Sequence, residues 1–492
     1  MDASFPLIAS ARLAILVASL SVAHATEDVR YGHVVDVKSA QVNDVDASLL
    51  LGTHSLWFDF PRKYWEGRDS LVSVFQRATN GIIRFGGGVN EAEWSVCGNP
   101  FVDRKRAKVV DWAGPLLCEF GWDEYLDVAL RGEQGYVWFV ANVVGQDGIQ
   151  YDDEVMRGKV QQAADRLRTL APFANRIWEL GNELERGNVR WGASQISRRL
   201  VLAGKAIREV DPNATLVAPL TEFDPSPITS RAAFNSSLLQ GYGRSFKEFS
   251  VHQYYDGAPG GPKVSTQLMN LRDIVRQVSS FVPGGSVWIT EHGRWPEGMP
   301  SNPGWKDNWW QTNSLGGVIS TADYLIGISQ IPQVNGAMLH GLRAGPWNVM
   351  TFTHGNASLT GVGHLLSIFS QIEGKKRLVT ELSGGRFPSG WSSYDARVAA
   401  LSTAEKDRVA VWAVNRSSRP LFFRLKQDGR VRPWRIIKSL SLECISGEHD
   451  CPSEKLKVHE GDVNMLSAVY SSGEKAIVLP PHSVLAINLV WQ

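Results

Sequence analysis

The chain has 492 residues, of which 43% are hydrophobic and 21% charged. That length corresponds to two or three ordinary domains and excludes a single small module, while the composition excludes a disordered, collagenous or multispanning chain. With 51 Lys and Arg against 50 Asp and Glu, no global field favours nucleic acid or an anionic membrane surface; a neutral or locally recognised partner fits better.

At the N-terminus Arg12 precedes the apolar run Leu13 to Val22 and then Ala23-His24-Ala25. A cation, a short apolar run and small residues form the pattern of a secretory signal, so residues 1–25 are expected to be cleaved and the chain to be secreted or periplasmic. The run falls short of the roughly 20 apolar residues a membrane span needs. No later segment supplies one. Export makes disulfides permissible, and Cys97, Cys118, Cys444 and Cys451 allow three pairings. The local solution joins Cys97 to Cys118 and Cys444 to Cys451; neither pair has the Cys-x-x-Cys spacing of a metal site. Sequons at Asn213, Asn235, Asn356 and Asn415 are glycosylation acceptors in a eukaryotic host.

Residues 26–50 read as short polar strands. From there, apolar runs over 55–60, 81–86, 136–142, 176–182, 215–220, 249–254, 287–291 and 336–340 alternate with helical patterns such as 155–170, 193–210, 266–281 and 315–328. Strand and helix in alternation predict a parallel sheet, and eight repeats suit its closure into a (β/α)8 barrel over residues 51–377. Gly86-Gly87-Gly88 lacks the spacing of a dinucleotide fingerprint. Beyond residue 378 the period shortens to two, as in Val409 to Val414, Leu421 to Leu425 and Ala476 to Leu479. The prediction there is an accessory antiparallel β-sandwich over 378–492, joined by strands from 26–50, with 382–395 as the crossing. The fold class is therefore α/β: a barrel with a β-sandwich beside it.

Two carboxylates terminate apolar strands. Trp178-Glu179-Leu180-Gly181-Asn182-Glu183 ends the fourth predicted strand, and Val287-Trp288-Ile289-Thr290-Glu291 ends the seventh. Catalytic groups of barrel enzymes sit at such C-terminal strand ends, and strands four and seven face each other across the mouth. Facing carboxylates are what glycosidic cleavage needs: one protonates the leaving oxygen and the other attacks the anomeric carbon, after which water completes hydrolysis. Glu183 is the expected acid/base and Glu291 the expected nucleophile. Glu179 shares Glu183's face but lies four residues deeper, away from the mouth, and Glu185 lies past the strand end.

WELGNE and WITEHG resemble the acid/base and nucleophile motifs of the clan of retaining glycosidases with barrel folds and catalytic glutamates on strands four and seven. Within it the layout resembles the α-L-arabinofuranosidases, the β-xylosidases and the heparanase-like β-glucuronidases, over about residues 50 to 370. The resemblance implies further roles. Arg84, in Ile83-Arg84-Phe85-Gly86-Gly87, would lie next to the nucleophile and keep it ionised. Asn182 would hydrogen-bond the sugar 2-hydroxyl. In His252-Gln253-Tyr254, the tyrosine would donate to the nucleophile. Strand eight departs from the pattern, because Met338-Leu339-His340 offers no Trp.

Each of these residues alone has an ordinary reading. An Asn-Glu pair after a strand commonly caps a helix, a lone Arg pairs at the surface, and a buried His or Tyr is usually just satisfied by its neighbours. Their occurrence together, in order and at barrel spacing, is what points to chemistry. Eighteen tryptophans are present; Trp94, Trp295 and Trp347 are expected to contact sugar, with Trp305, Trp309 and Trp310 in the same loop as Trp295, since flat indoles suit sugar C–H faces. The expected partner is a carbohydrate, with no cofactor and no metal. Arabinofuranoside, xyloside, glucuronide and galactoside readers share these motifs. A transglycosidase shares the first half of the mechanism, and a noncatalytic polysaccharide-binding protein on this scaffold would not require the paired carboxylates. No His-Glu-x-x-His or Gly-x-Ser-x-Gly motif supports a metalloprotease or serine hydrolase.

Overall fold

The computed structural model describes residues 33–55, 73–74, 76–79, 81–86, 108–111, 114–117, 122–130, 135–146, 149–186, 189–257, 262–342, 345–353, 356–372, 374–383, 396–405, 407–444, 451–461, 467–469 and 475–492. Eight parallel strands close into a barrel in chain order: β1 (Gly52–Ser55), β2 (Ile83–Phe85), β3 (Tyr136–Ala141), β4 (Asn175–Leu180), β5 (Thr215–Pro219), β6 (Glu248–Tyr255), β7 (Ser286–Arg294) and β8 (Val334–Leu339), with β8 pairing β1. Strands buried on both faces read as continuous apolar runs, and β4 is buried at five of its six positions. The first strand lies earlier than the expected 55–60. The run Leu56-Trp57-Phe58 drew the expectation C-terminal, and residues 56–60 lie outside the described residues.

The outer helices are amphipathic at the period that barrel packing requires. Asp153–Leu170 starts on Asp152, whose carboxylate caps Val155 N at 2.7 Å, and it buries Met156, Val160, Ala164 and Leu167. Ala193–Val210 buries Ile196, Leu200, Ala203, Ala206 and Ile207. Leu315–Ser329 is buried along its whole length, because it lies between the barrel and a second sheet.

That second sheet has 11 strands and is antiparallel except where His33–Asp46 runs parallel to Leu421–Gln427. His33–Asp46 lies between Leu421–Gln427 and Lys376–Ser383, so the chain is already in this sheet at Lys376. The passage from the barrel therefore follows helix Gly361–Gln371 and precedes residues 382–395. Buried Asp323 ties the two layers, accepting from Arg397 Nε at 2.6 Å and Arg416 Nη1 at 2.8 Å. Arg416 also reaches Asp256, just beyond β6, at 3.0 Å. Cys444 and Cys451 are disulfide-bonded; Cys97 and Cys118, like residues 1–25, lie outside the described residues. No described helix is long and apolar enough to cross a membrane.

Inside the barrel, Leu49, Ile82, Trp138, Ile177, Val217, Trp288 and Met338 form an apolar plug at the N-terminal end. Trp138 and Trp288 meet edge to face in it, with centroids 5.0 Å apart. A polar layer lies above that plug, and the candidate site is built on it.

Candidate active site

Strand alternation sends Trp138, Glu179 and Arg84 into the barrel from β3, β4 and β2. Glu179, fully buried, accepts from Arg84 Nε at 2.5 Å and Trp138 Nε1 at 3.1 Å through Oε2, and from Thr290 Oγ1 at 2.9 Å through Oε1. Both oxygens of the carboxylate are thereby engaged, and Arg84 is held in one pose. Its remaining nitrogens are aimed upward: Nη1 donates to Glu291 Oε1 at 2.9 Å and Nη2 to Asn182 Oδ1 at 2.6 Å.

Glu291 reaches the interior through a bulge. On the β6 side Val251 pairs with Ile289 but His252 with Glu291, so Thr290 is an extra residue. In a regular strand Thr290 and Glu291 would face opposite ways; the bulge lets both point inward, as bulges beside active sites do. From β6, His252 and Tyr254 project to the same side. Tyr254 OH donates to Glu291 Oε2 at 2.8 Å, and His252 Nδ1 lies 3.3 Å from that oxygen. Beyond β8, His340 places Nδ1 3.2 Å from it as well.

Glu183 follows β4 in the loop Gly181-Asn182-Glu183. Its φ is 50°, a left-handed value for a non-glycine residue, and such positions cost of order 1–3 kcal/mol. The surrounding contacts hold it there. His252 Nδ1 is 2.7 Å from Glu183 Oε1, and Arg186 Nη2 makes an ion pair with the same oxygen. The Arg186 guanidinium lies 4.8 Å over the ring of Phe223. A cavity beside Glu183 is lined by Asn182, Arg186, Glu185, Glu222 and Phe223 among others. Glu183, His252 and Glu291 each offer a ligand-type atom, all within 4.8 Å of one another.

The wall above Glu291 is aromatic. Trp347 lies 4.8 Å from Tyr254 and 4.9 Å from His340 by ring centroids, and Trp295 lies 5.2 Å from Tyr254. Trp347 Nε1 donates to Arg294 O at 2.6 Å. It fits because residue 293 is glycine: a Cβ there would stand 2.4 Å from Trp347 Cδ1. Trp305 packs behind Trp295 at 6.0 Å and Trp309 behind Trp305 at 5.4 Å, so these two support the wall. Trp310 is about half exposed. Trp94 lies outside the described residues.

The structure thus brings Arg84, Asn182, Glu183, His252, Tyr254, Glu291, Trp295 and Trp347 together. It adds His54, Glu179, Thr290, Arg186, Glu222 and His340. His54 arrives because β8 pairs β1 in the register Met338 with Gly52 and Leu339 with Thr53, which sets His54 opposite His340. Their Nδ1 atoms are 3.0 Å apart.

Charge at the site follows from burial and neighbours. Burial pushes Glu291 up, yet its surroundings together outweigh burial and hold it well below the ordinary carboxylate range; His252, His340 and His54 lower it by whatever charge they carry, and His340 also by a hydrogen bond. His252 is itself pushed down to about 3, chiefly by burial, and His54 falls well below the ordinary histidine range for the same reason. Both rings are therefore neutral near pH 7, and the charge that keeps Glu291 ionised there is the permanent guanidinium of Arg84 at 2.9 Å, aided by the Tyr254 hydroxyl. Tyr254 is raised well above its usual value by burial and then by Glu291, so it remains a donor. Burial lifts Glu222 to about 8, against the pull of Arg186.

The donor sets that could hold a cation among the described residues are His54, Glu291 and His340, and Glu183, His252 and Glu291.

No family model matches the sequence, and no curated protein matches it. Solved structures do. The GH51 arabinofuranosidase from Xanthomonas axonopodis pv. citri superposes with a TM-score of 0.70 at 15% identity, covering 94% of this chain and 100% of that one. The thermostable GH51 α-L-arabinofuranosidase from Thermotoga petrophila gives 0.69 at 15%, covering 93% and 100%. A Paenibacillus polymyxa GH44 xyloglucanase gives 0.58 at 12%, covering 93% and 99%. At these identities the likeness establishes the fold, a (β/α)8 barrel with an accessory β-sandwich domain.

Proposed function

We propose that this protein is a retaining glycoside hydrolase, with Glu291 as nucleophile and Glu183 as general acid/base. The observation that carries the reading is the approach of the two carboxylates. One oxygen of Glu183 lies within 4.8 Å of one of Glu291, which supports the roughly 5–5.5 Å carboxyl separation of double displacement over the roughly 6.5–9.5 Å that admits a water between acid and base. Glu291, ionised beside Arg84 and Tyr254, attacks the anomeric carbon while Glu183 gives its proton to the leaving oxygen. Water, deprotonated by Glu183, then hydrolyses the glycosyl-enzyme. His252 Nδ1, 2.7 Å from Glu183 Oε1, fixes that oxygen over the bond to be broken.

The substrate we propose is an α-L-arabinofuranoside or a related glycoside in a poly- or oligosaccharide. Support comes from the names of the proteins sharing the fold, which act on arabinofuranosides and xyloglucan, and from the Trp295–Trp347 wall. Export after loss of residues 1–25 is part of the reading and is consistent with the Cys444–Cys451 bond. The test is a 2-fluoro arabinofuranoside bearing an activated leaving group, followed by peptide mass spectrometry. The expected adduct is one glycosyl group on Glu291; an adduct on another carboxylate overturns the assignment. A panel of aryl glycosides reads the sugar.

A further inference from the structure

The double-displacement reading uses Glu291, Arg84, Tyr254 and Glu183. It uses neither ring of the histidine pair His54 and His340 as a reacting group; the closure of the barrel between β8 and β1 brings these rings together at an interplanar angle of 55°, with centroids 5.0 Å apart. With Glu291 they also present the donor atoms of a possible ligand set. Nδ1 of His54 and Nδ1 of His340 are 3.0 Å apart, and the Glu291 carboxylate presents one oxygen to each ring, Oε1 at 3.5 Å from His54 Nδ1 and Oε2 at 3.2 Å from His340 Nδ1. A tetrahedral ion with bonds of about 2.0–2.1 Å sets its ligand atoms roughly 3.3–3.4 Å apart. Each of these contacts lies near that spacing, and one atom from each of the three residues falls within 4.8 Å of the other two.

The tautomer of His54 is also the one a metal needs. Its Nε2 lies 2.6 Å from the carbonyl oxygen of Gly86. A carbonyl only accepts, so Nε2 carries the proton and Nδ1 the lone pair. A backbone carbonyl holding the far nitrogen is the usual outer support of a metal-bound histidine. That lone pair faces His340 Nδ1 at 3.0 Å, whereas Arg84 Nη1 lies beside the ring, 3.1 Å from Nε2 and 3.4 Å from Nδ1; an ion would take the place of the His340 donor. The guanidinium does not forbid a cation, because Arg84 is paired with both Glu179 and Glu291, and the three side chains together carry one net negative charge. Two imidazoles and a carboxylate select a borderline divalent ion such as Zn²⁺ over Mg²⁺ or Ca²⁺.

We propose that His54, His340 and Glu291 form an inhibitory site for a Zn²⁺-class cation, which silences the enzyme by occupying the nucleophile. The proposal rests on Glu291 being the nucleophile only for its inhibitory consequence; the binding geometry stands without it. Coordination consumes the lone pair that would attack the anomeric carbon, so Zn²⁺ and glycoside exclude each other and the inhibition is competitive. Mg²⁺ at the same concentration has no effect.

The experiment uses the full mature chain without a polyhistidine tag. Equilibrium dialysis against Zn²⁺ with elemental analysis is expected to give one ion per chain whose binding weakens at least about tenfold in His340→Gln and is little changed in His252→Gln. His340 is the variant of choice because its side chain is 17% exposed while that of His54 is fully buried; circular dichroism checks its fold. As a measurement on the unmodified protein, Co²⁺ should give the visible absorption of a four-coordinate ion, and 2-fluoroglycoside modification should abolish it. Absence of Zn²⁺ binding in the native chain overturns the proposal, as does binding undiminished in His340→Gln or lost in His252→Gln instead. Stoichiometric Zn²⁺ binding in a protein that cleaves no glycoside would support the site and refute the glycosidase reading, whereas glycoside cleavage without Zn²⁺ binding would refute the site alone.

Discussion

Glu179 Oε2 accepts from Arg84 Nε at 2.5 Å in a fully buried pair, and this contact below the site decides where the guanidinium points above it. Removing Glu179 leaves a buried cation with one of its two compensating charges gone. Glu179→Ala is therefore expected to destabilise the fold by about 3–5 kcal/mol, the cost of breaking a buried pair from one side. Glu179→Gln, which still accepts from Arg84 and Trp138, should cost less. Urea denaturation of the three proteins checks the order; a Glu179→Ala midpoint equal to that of the parent contradicts it.

Glu291 is held well below the ordinary carboxylate range, so its share of stability is present above the unfolded-state value near 4.5 and is lost as pH falls through the lower folded value. The nucleophile obeys the same sign. The acid limb of kcat/KM is expected below about pH 4.5. Tyr254→Phe removes a donor to the charged form, worth about 1.5–3 kcal/mol, so kcat/KM should fall tenfold or more and the acid limb should move up. A pH–rate profile whose acid limb stays in place after Tyr254→Phe counts against Tyr254 acting on Glu291.

The barrel and the pair Glu183 and Glu291 were legible because two carboxylates end apolar strands at an interval of whole βα units, although either one alone has an ordinary structural reading. Arg84 and Tyr254 were legible only through the motifs around them. His54 was not: Thr53-His54-Ser55 is a polar triplet with no strand signal beside Leu56-Trp57-Phe58, and its role depends on the pairing of β8 with β1. Alternation placed Glu179 on the interior face but could not show that it grips Arg84. The bulge at Thr290 is likewise invisible to a period-two reading, which would put Thr290 and Glu291 on opposite faces. Arg186 and Glu222 lie in loops after β4 and β5, where no periodicity constrains a side chain.

Glu222 gives a test of the cavity beside Glu183. Burial raises it to about 8 in the folded protein, and a raised carboxyl contributes stability that is full below its unfolded value near 4.5 and lost as pH rises through about 8. Glu222 is only half-buried, so solvent will blunt the effect without changing its sign. Stability of the native chain should decline from about pH 5 to about pH 8 more steeply than that of Glu222→Gln. Denaturation midpoints for both proteins at the two pH values read the difference; parallel pH dependences would show that Glu222 is solvated as an ordinary carboxylate.

Gly293 tests the aromatic wall without touching a charged group. A Cβ at that position meets Trp347 Cδ1 at 2.4 Å, and the indole is packed against Tyr254 and His340. Gly293→Ala should cost about 1–3 kcal/mol by overpacking. It should also raise KM more than it lowers kcat, because it displaces a sugar-contacting surface and leaves Glu183 in place. Equal effects on both constants would show that Trp347 is not part of the sugar wall.

The acid/base assignment makes the most demanding prediction. Glu183 protonates the leaving oxygen in the first step and activates water in the second, so its loss must depend on the leaving group. With Glu183→Ala, turnover of natural glycosides, whose leaving alcohols need a proton, is expected to fall by about 10²–10⁴-fold. An aryl glycoside with an acidic phenol needs little protonation and should still load Glu291, after which the glycosyl-enzyme accumulates because no base activates water. A burst of phenol then precedes slow turnover. The space vacated by the carboxylate is flanked by Arg186, whose guanidinium stays docked over Phe223, and a small anion such as azide can enter beside that cation. Azide attacks the anomeric carbon from the face opposite Glu291 without needing deprotonation, so it should restore turnover and release a glycosyl azide with the configuration of the substrate. An inverted azide would place attack directly on the substrate and exclude Glu291 as nucleophile. Loss of activity that is equal for natural and activated glycosides, with no burst and no rescue, would assign Glu183 to binding and leave the acid/base to another residue, with Glu222, across the same cavity, next in line.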